Sequence, residues 1–204
     1  MRRFDLTDPE AAFERGLYVA PPDEHSARRV IASAELGATK RYALIGGVGS
    51  GKSTWMLAAC RGADATSSEV RAEYVDVNEH VRLGELAPGA LVTAAARALA
   101  QDAGAGVSDV EVLRRTARDG SKRSVVFLDS LERVDDDASL LRTLRQDLEA
   151  LQKVGISVVA TVPLRWAFLP ALRGDLEDRF DDVLTVAPVD IDDGEGQGLS
   201  LIHI

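Results

Sequence analysis

The stretch that most narrows what this chain can fold into is LIGGVGSGKST, residues 44–54, in which Gly47, Gly49 and Gly51 recur at every second position behind Gly46. Each glycine inside a regular element costs roughly 0.5–1 kcal/mol of backbone entropy, so neither a helix nor a strand runs through this stretch without penalty. Its flanks are ordinary. YALIG (residues 42–46) is an apolar run of strand length, and residues 53–61 return to helix formers. The local order is therefore strand, glycine loop, helix, with conformational freedom concentrated in the loop.

The rest of the chain repeats that alternation. Residues 23–35 set Ala27, Val30, Ile31 and Ala34 at helical spacing between Pro22 and Gly37, which predicts a leading helix. Further apolar runs lie at 72–77, 124–130, 156–163 and 182–188, and four of the five are nearly continuous and rich in β-branched residues, as strands covered on both faces are. Helical segments are expected at 88–101, 107–118 and 138–153, the last with Leu140, Leu141, Leu144, Leu148 and Leu151 on one stripe. This predicts an α/β fold: a three-layer arrangement with a five-stranded parallel sheet flanked by helices, and ligands beyond the carboxyl ends of the strands. A length of 204 residues fits one such domain. The expected division is an N-terminal segment and helix at 1–40, a core at 41–191 and an acidic, disordered tail at 192–204, with no internal repeat of 20 to 50 residues.

Gly46 to Ser53 matches G-x-x-x-x-G-K-[ST] between a strand and a helix. Glycines let backbone N–H groups curl around phosphate oxygens while the following helix aims its positive end at the same anion. Gly46, Gly47, Val48, Gly49, Ser50, Gly51, Lys52, Ser53 and Thr54 are thus the expected phosphate cradle. Lys52 would reach the β and γ phosphates, and the Ser53 hydroxyl would coordinate Mg²⁺. Asp129 closes the run VVFLD, so its carboxylate should emerge at the sheet edge, where it would hold the metal's hydration shell. Glu132, in DSLER, could polarise an attacking water, or be one acid of a solvated charge run. Thr161, at the end of VVATVP, offers a hydroxyl where a γ-phosphate would sit, though threonine is also an ordinary strand residue.

The composition excludes other classes. A net charge of −9 disfavours broad attraction to nucleic-acid phosphate or anionic lipid, and no nucleic-acid partner is indicated. The single cysteine, Cys60, cannot form an internal disulfide and reads as a small buried hydrophobe in a reducing compartment. The N-terminal MRRFDLTDPEAAFERG turns acidic at once and lacks the apolar centre of a secretion signal, and the longest apolar run, 90–100, is broken by Arg97 and falls short of the ~20 residues of a membrane span. A cytoplasmic protein with no membrane association is expected.

With these motifs in place, the chain resembles the P-loop ATPases of the additional-strand class, in particular AAA+ and the related STAND ATPases. LIGGVGSGKST is similar to their Walker A motif, VVFLDSLERV to the hhhhDGLDR form of Walker B common in STAND proteins, and VVATVP lies where sensor 1 belongs. LPALRGDLEDRFDDVLTV is similar to the AAA+ stretch in which an arginine precedes FD ahead of the fifth strand. The resemblance implies ATP and Mg²⁺ as ligands, Lys52 and Ser53 on phosphate and metal, Asp129 on Mg²⁺, Glu132 activating water and Thr161 sensing the γ-phosphate. It further implies Arg179 as an arginine finger on a neighbouring subunit's nucleotide, hence a homo-oligomer, and Tyr18 and Val19 packing the adenine. Two departures stand out: Ser130 occupies the position after Asp129 where typical AAA+ proteins carry the catalytic acid, and the helical lid that normally follows the fifth strand is missing. A C-terminally truncated fragment is expected, and the closing LSLIHI resembles translated sequencing-adaptor readthrough.

The function so implied is an ATP-binding and hydrolysing motor or switch core. A small-molecule or nucleoside kinase would use the same loop but normally adds an arginine-rich closing segment, and only Arg165, Arg173 and Arg179 fall between the fourth and fifth strands. A GTPase is disfavoured because Thr39 and Lys40, the nearest approach to [NT]-K-x-D, precede the first strand. A nucleotide-gated interaction module with negligible hydrolysis is the non-enzymatic alternative.

Overall fold

Runs of Val, Ile, Leu and Ala with no polar face need cover on both sides, and a computed structural model of the chain shows how they receive it. It describes residues 24–67, 69–99, 107–119, 122–186, 190–191 and 199–200. The main strands are β1 (Arg41–Ile45), β2 (Val70–Asp76), β3 (Arg123–Asp129), β4 (Ser157–Thr161) and β5 (Asp182–Thr185). The helices are α1 (Glu24–Glu35), α2 (Lys52–Thr66), the one-turn α3 (Val77–His80), α4 (Ala90–Leu99), α5 (Asp109–Asp119), α6 (Asp137–Lys153) and α7 (Pro170–Arg179). A two-residue antiparallel pair, β6 (Asp190–Ile191) with β7 (Leu199–Ser200), follows β5. The other residues of the expected 192–204 tail lie outside the described residues.

The five main strands form one parallel sheet in the order β2-β3-β4-β1-β5. Strand β4 therefore separates β1, which feeds the glycine loop, from β3, which delivers Asp129. Register places Leu44 opposite Thr161, Leu128 opposite Ala160 and Asp76 opposite Asp129. The carboxyl ends of β1, β3 and β4, which carry the glycine loop, Asp129 and Thr161, consequently lie along one edge.

Period-two alternation divides the core into two layers. Tyr42, Leu44, Phe127 and Val159 face α1 and α2, where they meet Val30, Ile31, Trp55, Met56 and the buried Cys60. Trp55 packs edge-on against Phe127 with ring centroids 6.3 Å apart. Ala43, Ile45, Val126, Leu128 and Val158 face the other way, onto Leu91, Leu113, Leu144 and Leu176 of α4 to α7. Fully burying each such leucine contributes about 2 kcal/mol. Among the described residues no helix is long and apolar enough to cross a membrane.

Besides the one-turn α3, which the sequence did not announce, two helices differ from the sequence expectation. Helix α2 runs on to Thr66 because Ala63, at 1% exposure, continues its buried face past Gly62. Helix α7 had no expected counterpart: Leu176 is its only buried residue, so it carries no apolar stripe to read, and Pro170 at its first turn is the sole sequence sign.

One buried carboxylate ties the helical layer together. Asp147 of α6 is 2% exposed and accepts the N–H groups of Gly89 at 2.7 Å and Leu91 at 2.8 Å, at the start of α4. Burial pushes its carboxyl above the usual carboxylate range, against the lowering effect of these backbone donors.

Candidate functional site

The glycine loop leaves β1 and turns twice through backbone that side chains rarely adopt, Gly49 at φ 75° and Gly51 at φ 85°. Gly46 is required for a different reason: a Cβ there would lie 2.8 Å from the Val186 carbonyl and 2.5 Å from Ser50 Oγ. Ser50 N–H closes the loop onto Gly47 O at 3.2 Å. Gly51, the residue capping α2, offers no side-chain acceptor, so the first-turn amides at Lys52, Ser53 and Thr54 have neither a helical nor a capping partner. Val48 stands at the loop tip, 91% exposed. The result is a ring of backbone donors at the positive end of a 15-residue helix.

Lys52 crosses this ring. Its side chain is only 6% exposed, and its Nζ donates to Gly46 O at 3.1 Å and Gly47 O at 3.0 Å, with Glu132 Oε1 at 3.7 Å. A buried ammonium held mainly by carbonyl dipoles has capacity for an anion. Two atoms beside it are buried without any hydrogen-bond partner, Ser50 Oγ and Glu132 Oε2. Such orphaned polar atoms are expected where a ligand completes the bonding.

Asp129 ends β3 on the face that α2 opens towards, since it shares parity with Phe127. It is 2% exposed, with Oδ1 accepting the Ser130 N–H at 2.7 Å and Oδ2 accepting the Tyr74 hydroxyl at 2.8 Å. Burial, then the Asp129 charge and hydrogen bond, push the Tyr74 phenol far above its ordinary range, so it stays protonated and a donor. Among the described residues no group of three or more His, Cys, Asp and Glu could hold a metal alone. Ser53 and Asp129 fit Mg²⁺ only together with phosphate oxygens and water, which is how this cation is usually held.

Ser130 makes the turn that follows with φ 70°, the only positive φ at a non-glycine among the described residues. It stands where the resembled DGLDR form has glycine. This conformation costs an L-residue about 1–2 kcal/mol. Ser130→Gly is accordingly expected to raise stability by up to about 1 kcal/mol, and Ser130→Val, β-branched, to lower it by about 2 kcal/mol, as thermal melting would register. The turn sets the one-turn 3-10 helix Leu131–Arg133, which directs Glu132 back at Lys52.

Thr161 is fully buried at the end of β4, between the two motif strands, and its Oγ1 accepts the Leu131 N–H at 3.1 Å. It therefore braces the Glu132 turn while its own hydroxyl proton remains to be donated. A second brace went unread in the sequence. Asp137 accepts Arg165 Nη2 at 2.7 Å and Trp166 Nε1 at 2.6 Å, while Arg165 Nη2 also reaches Val134 O at 3.2 Å, tying the segment after β3 to the segment after β4. Burial pushes the Asp137 carboxyl up, but the Arg165 and Trp166 hydrogen bonds outweigh it and hold it below its usual value. Tyr74 also went unread; its only signal was a phenol three residues before the end of the second apolar run.

Arg179 is not brought into this site. It ends α7 immediately before β5, at the opposite edge of the sheet, and its Nη2 pairs with Asp175 at 2.5 Å while its Nε is buried without a partner. It lines a depression with Arg41, Arg145 and Glu149. Tyr18 and Val19 lie outside the described residues.

No protein-family model matches the sequence, and no curated protein matches it either. Solved structures do. The chain is similar to the ORC2 protein of Aeropyrum pernix in its ADPNP–ADP complexes, with 14% identity, 84% of this chain and 50% of that one covered, and a TM-score of 0.59. It is similar to a Walker-type ATPase of Pyrococcus abyssi, with 14% identity, 82% and 54% coverage and a TM-score of 0.53. The Cdc6p protein of Pyrobaculum aerophilum gives 18% identity, 85% and 47% coverage and a TM-score of 0.51. The chain spans about half the length of each of these proteins. The chain thus shares the P-loop NTPase fold of these proteins, a parallel sheet flanked by helices with β4 between β1 and β3.

Proposed function

We propose that this chain is the Mg-ATP-binding core of an AAA+-type ATPase, a motor or STAND-like switch. The observation that carries the reading is the buried Lys52 ammonium, held by two loop carbonyls inside a ring of helix-terminal amides, with Asp129 and Ser53 on the same side. The loop amides and Lys52 bind and orient the triphosphate. Ser53 and Asp129 hold Mg²⁺, which when bound neutralises charge on the β and γ phosphates. Glu132 accepts a proton from the attacking water, and Thr161 donates to the γ-phosphate or to that water. ADPNP and ADP are named with the ORC2 protein that shares this fold, which supports an adenine nucleotide.

Calorimetry with Mg-ATP tests binding, and phosphate release tests turnover, with and without candidate acceptors to detect a kinase. Asp129→Asn is expected to lower the rate of phosphate release at least about 100-fold while leaving metal-free nucleotide binding nearly intact. Undiminished release by this variant would remove Asp129 from the mechanism.

One observation favours a second reading, a nucleotide-gated interaction module with little hydrolysis. Glu132 Oε1 lies 3.7 Å from Lys52 Nζ, so the acid that would serve a water is also the ion-pair partner of the phosphate-binding ammonium, which would weaken it as a base. Arg179, facing away from its own loop, could reach only another copy's nucleotide, so activity that rises with protein concentration would support a finger role within a homo-oligomer. Size-exclusion with and without Mg-ATP, set beside turnover, separates motor from module.

A further inference from the structure

We propose that Tyr74 is a positioning residue for the metal site: its hydroxyl holds the Asp129 carboxylate in the orientation that receives Mg²⁺. This rests on the Mg-nucleotide reading given above. Tyr74 projects from β2, a strand that contributes nothing to the glycine loop, and its Oη meets Asp129 Oδ2 at 2.8 Å across the β2–β3 pair. The need for this bond lies with the acid rather than the phenol. Tyr74 is only partly buried and could turn its hydroxyl towards water, whereas Asp129 is 2% exposed and has, among the described residues, two hydrogen-bond donors, Tyr74 and the Ser130 N–H.

The two donors take one oxygen each. Held at both oxygens, the carboxylate cannot rotate about its terminal bond, yet each oxygen keeps a second lone pair for a metal's water shell. Without the hydroxyl, Asp129 keeps only its neighbour's N–H, and the orientation must be fixed at the moment of metal binding. Groups that orient metal-binding side chains in this way typically change metal affinity by about 10–100-fold when removed.

The test measures binding, not turnover, on the whole chain, with the slowly cleaved analogue AMP-PNP as probe. In the wild type, affinity is compared in EDTA and in Mg²⁺, and the ratio is the metal's contribution. Tyr74→Phe, which keeps the ring and loses only the hydroxyl, is expected to shrink that ratio about ten-fold while affinity in EDTA is unchanged. Placed in an Asp129→Asn background, Tyr74→Phe should then have no further effect. An unaltered ratio in Tyr74→Phe overturns the proposal, as does a loss that is equal in EDTA and in the Asp129→Asn background, which would mark a packing role. A Tyr74→Phe protein that no longer folds, judged by circular dichroism, also overturns it, because the hydroxyl would then support the core. Failure of the nucleotide reading looks different: the wild type itself would bind AMP-PNP in neither condition.

Discussion

Lys52→Met is expected to reduce affinity for Mg-ATP at least about 100-fold, to the point where calorimetry at ordinary concentrations registers little heat. The side chain is 6% exposed and its ammonium sits amid the loop carbonyls of Gly46 and Gly47. A charge-assisted bond to phosphate in such a water-poor place contributes about 3 kcal/mol, and 1.4 kcal/mol is a factor of ten. Methionine keeps the aliphatic length, so the loss reports the charge and not a cavity. The same variant strands partners in the ligand-free protein, since Glu132 Oε1 loses its counter-charge at 3.7 Å beside an already unpartnered Oε2. A modest drop in melting temperature should therefore accompany the loss of binding, and the upward shift that Mg-ATP gives the wild type should vanish. Wild-type affinity in Lys52→Met would remove the central support of the functional reading.

Asp147→Ala is expected to cost about 3 kcal/mol of stability and to lower Tm by about 6–12 °C, far more than any surface change on α6. The substitution leaves the Gly89 and Leu91 N–H groups without their acceptor at the buried start of α4, and removes the carboxylate that complements that helix end. Asp147→Asn keeps one acceptor and should lose less. The pH dependence carries a definite sign. Because burial raises the folded carboxyl above its unfolded value, the folded state binds the extra proton between the two, and this residue's contribution to stability falls as pH rises through that window. Asp147→Ala should lose that slope, which urea titrations at several pH values would reveal.

Why Asp147 escaped the sequence is instructive. It sits in LRQDLEAL, where an acid between leucines on an amphipathic helix looks like part of the solvated face. What buries it is the approach of α4 from more than 50 residues away, with the N–H groups of Gly89 and Leu91 as partners. The same holds for Tyr74 and Asp129, 55 residues apart, and for Arg165 and Asp137, 28 apart. Each pair is created by strand adjacency or helix packing, and neither partner carries a local mark of the other. Helix α7 escaped for a related reason, since a helix anchored by Leu176 alone has no periodic stripe.

The local elements were legible because their causes are local. Apolar runs of strand length gave β1 to β5 within a few residues, the glycines and Lys52 marked the loop, and the alternation of strands with helices fixed a parallel sheet covered on both faces. Those properties follow from steric limits on φ and ψ and from the period of side-chain burial, which any stretch of a few residues expresses by itself. The order β2-β3-β4-β1-β5, the convergence of Asp129, Thr161 and Tyr74 on the face where α2 opens, the Glu132 contact with Lys52, and the placing of Arg179 at the far edge were decided only by the folded chain. They depend on which strand hydrogen-bonds to which, and that choice is made by the burial of whole layers rather than by any one segment.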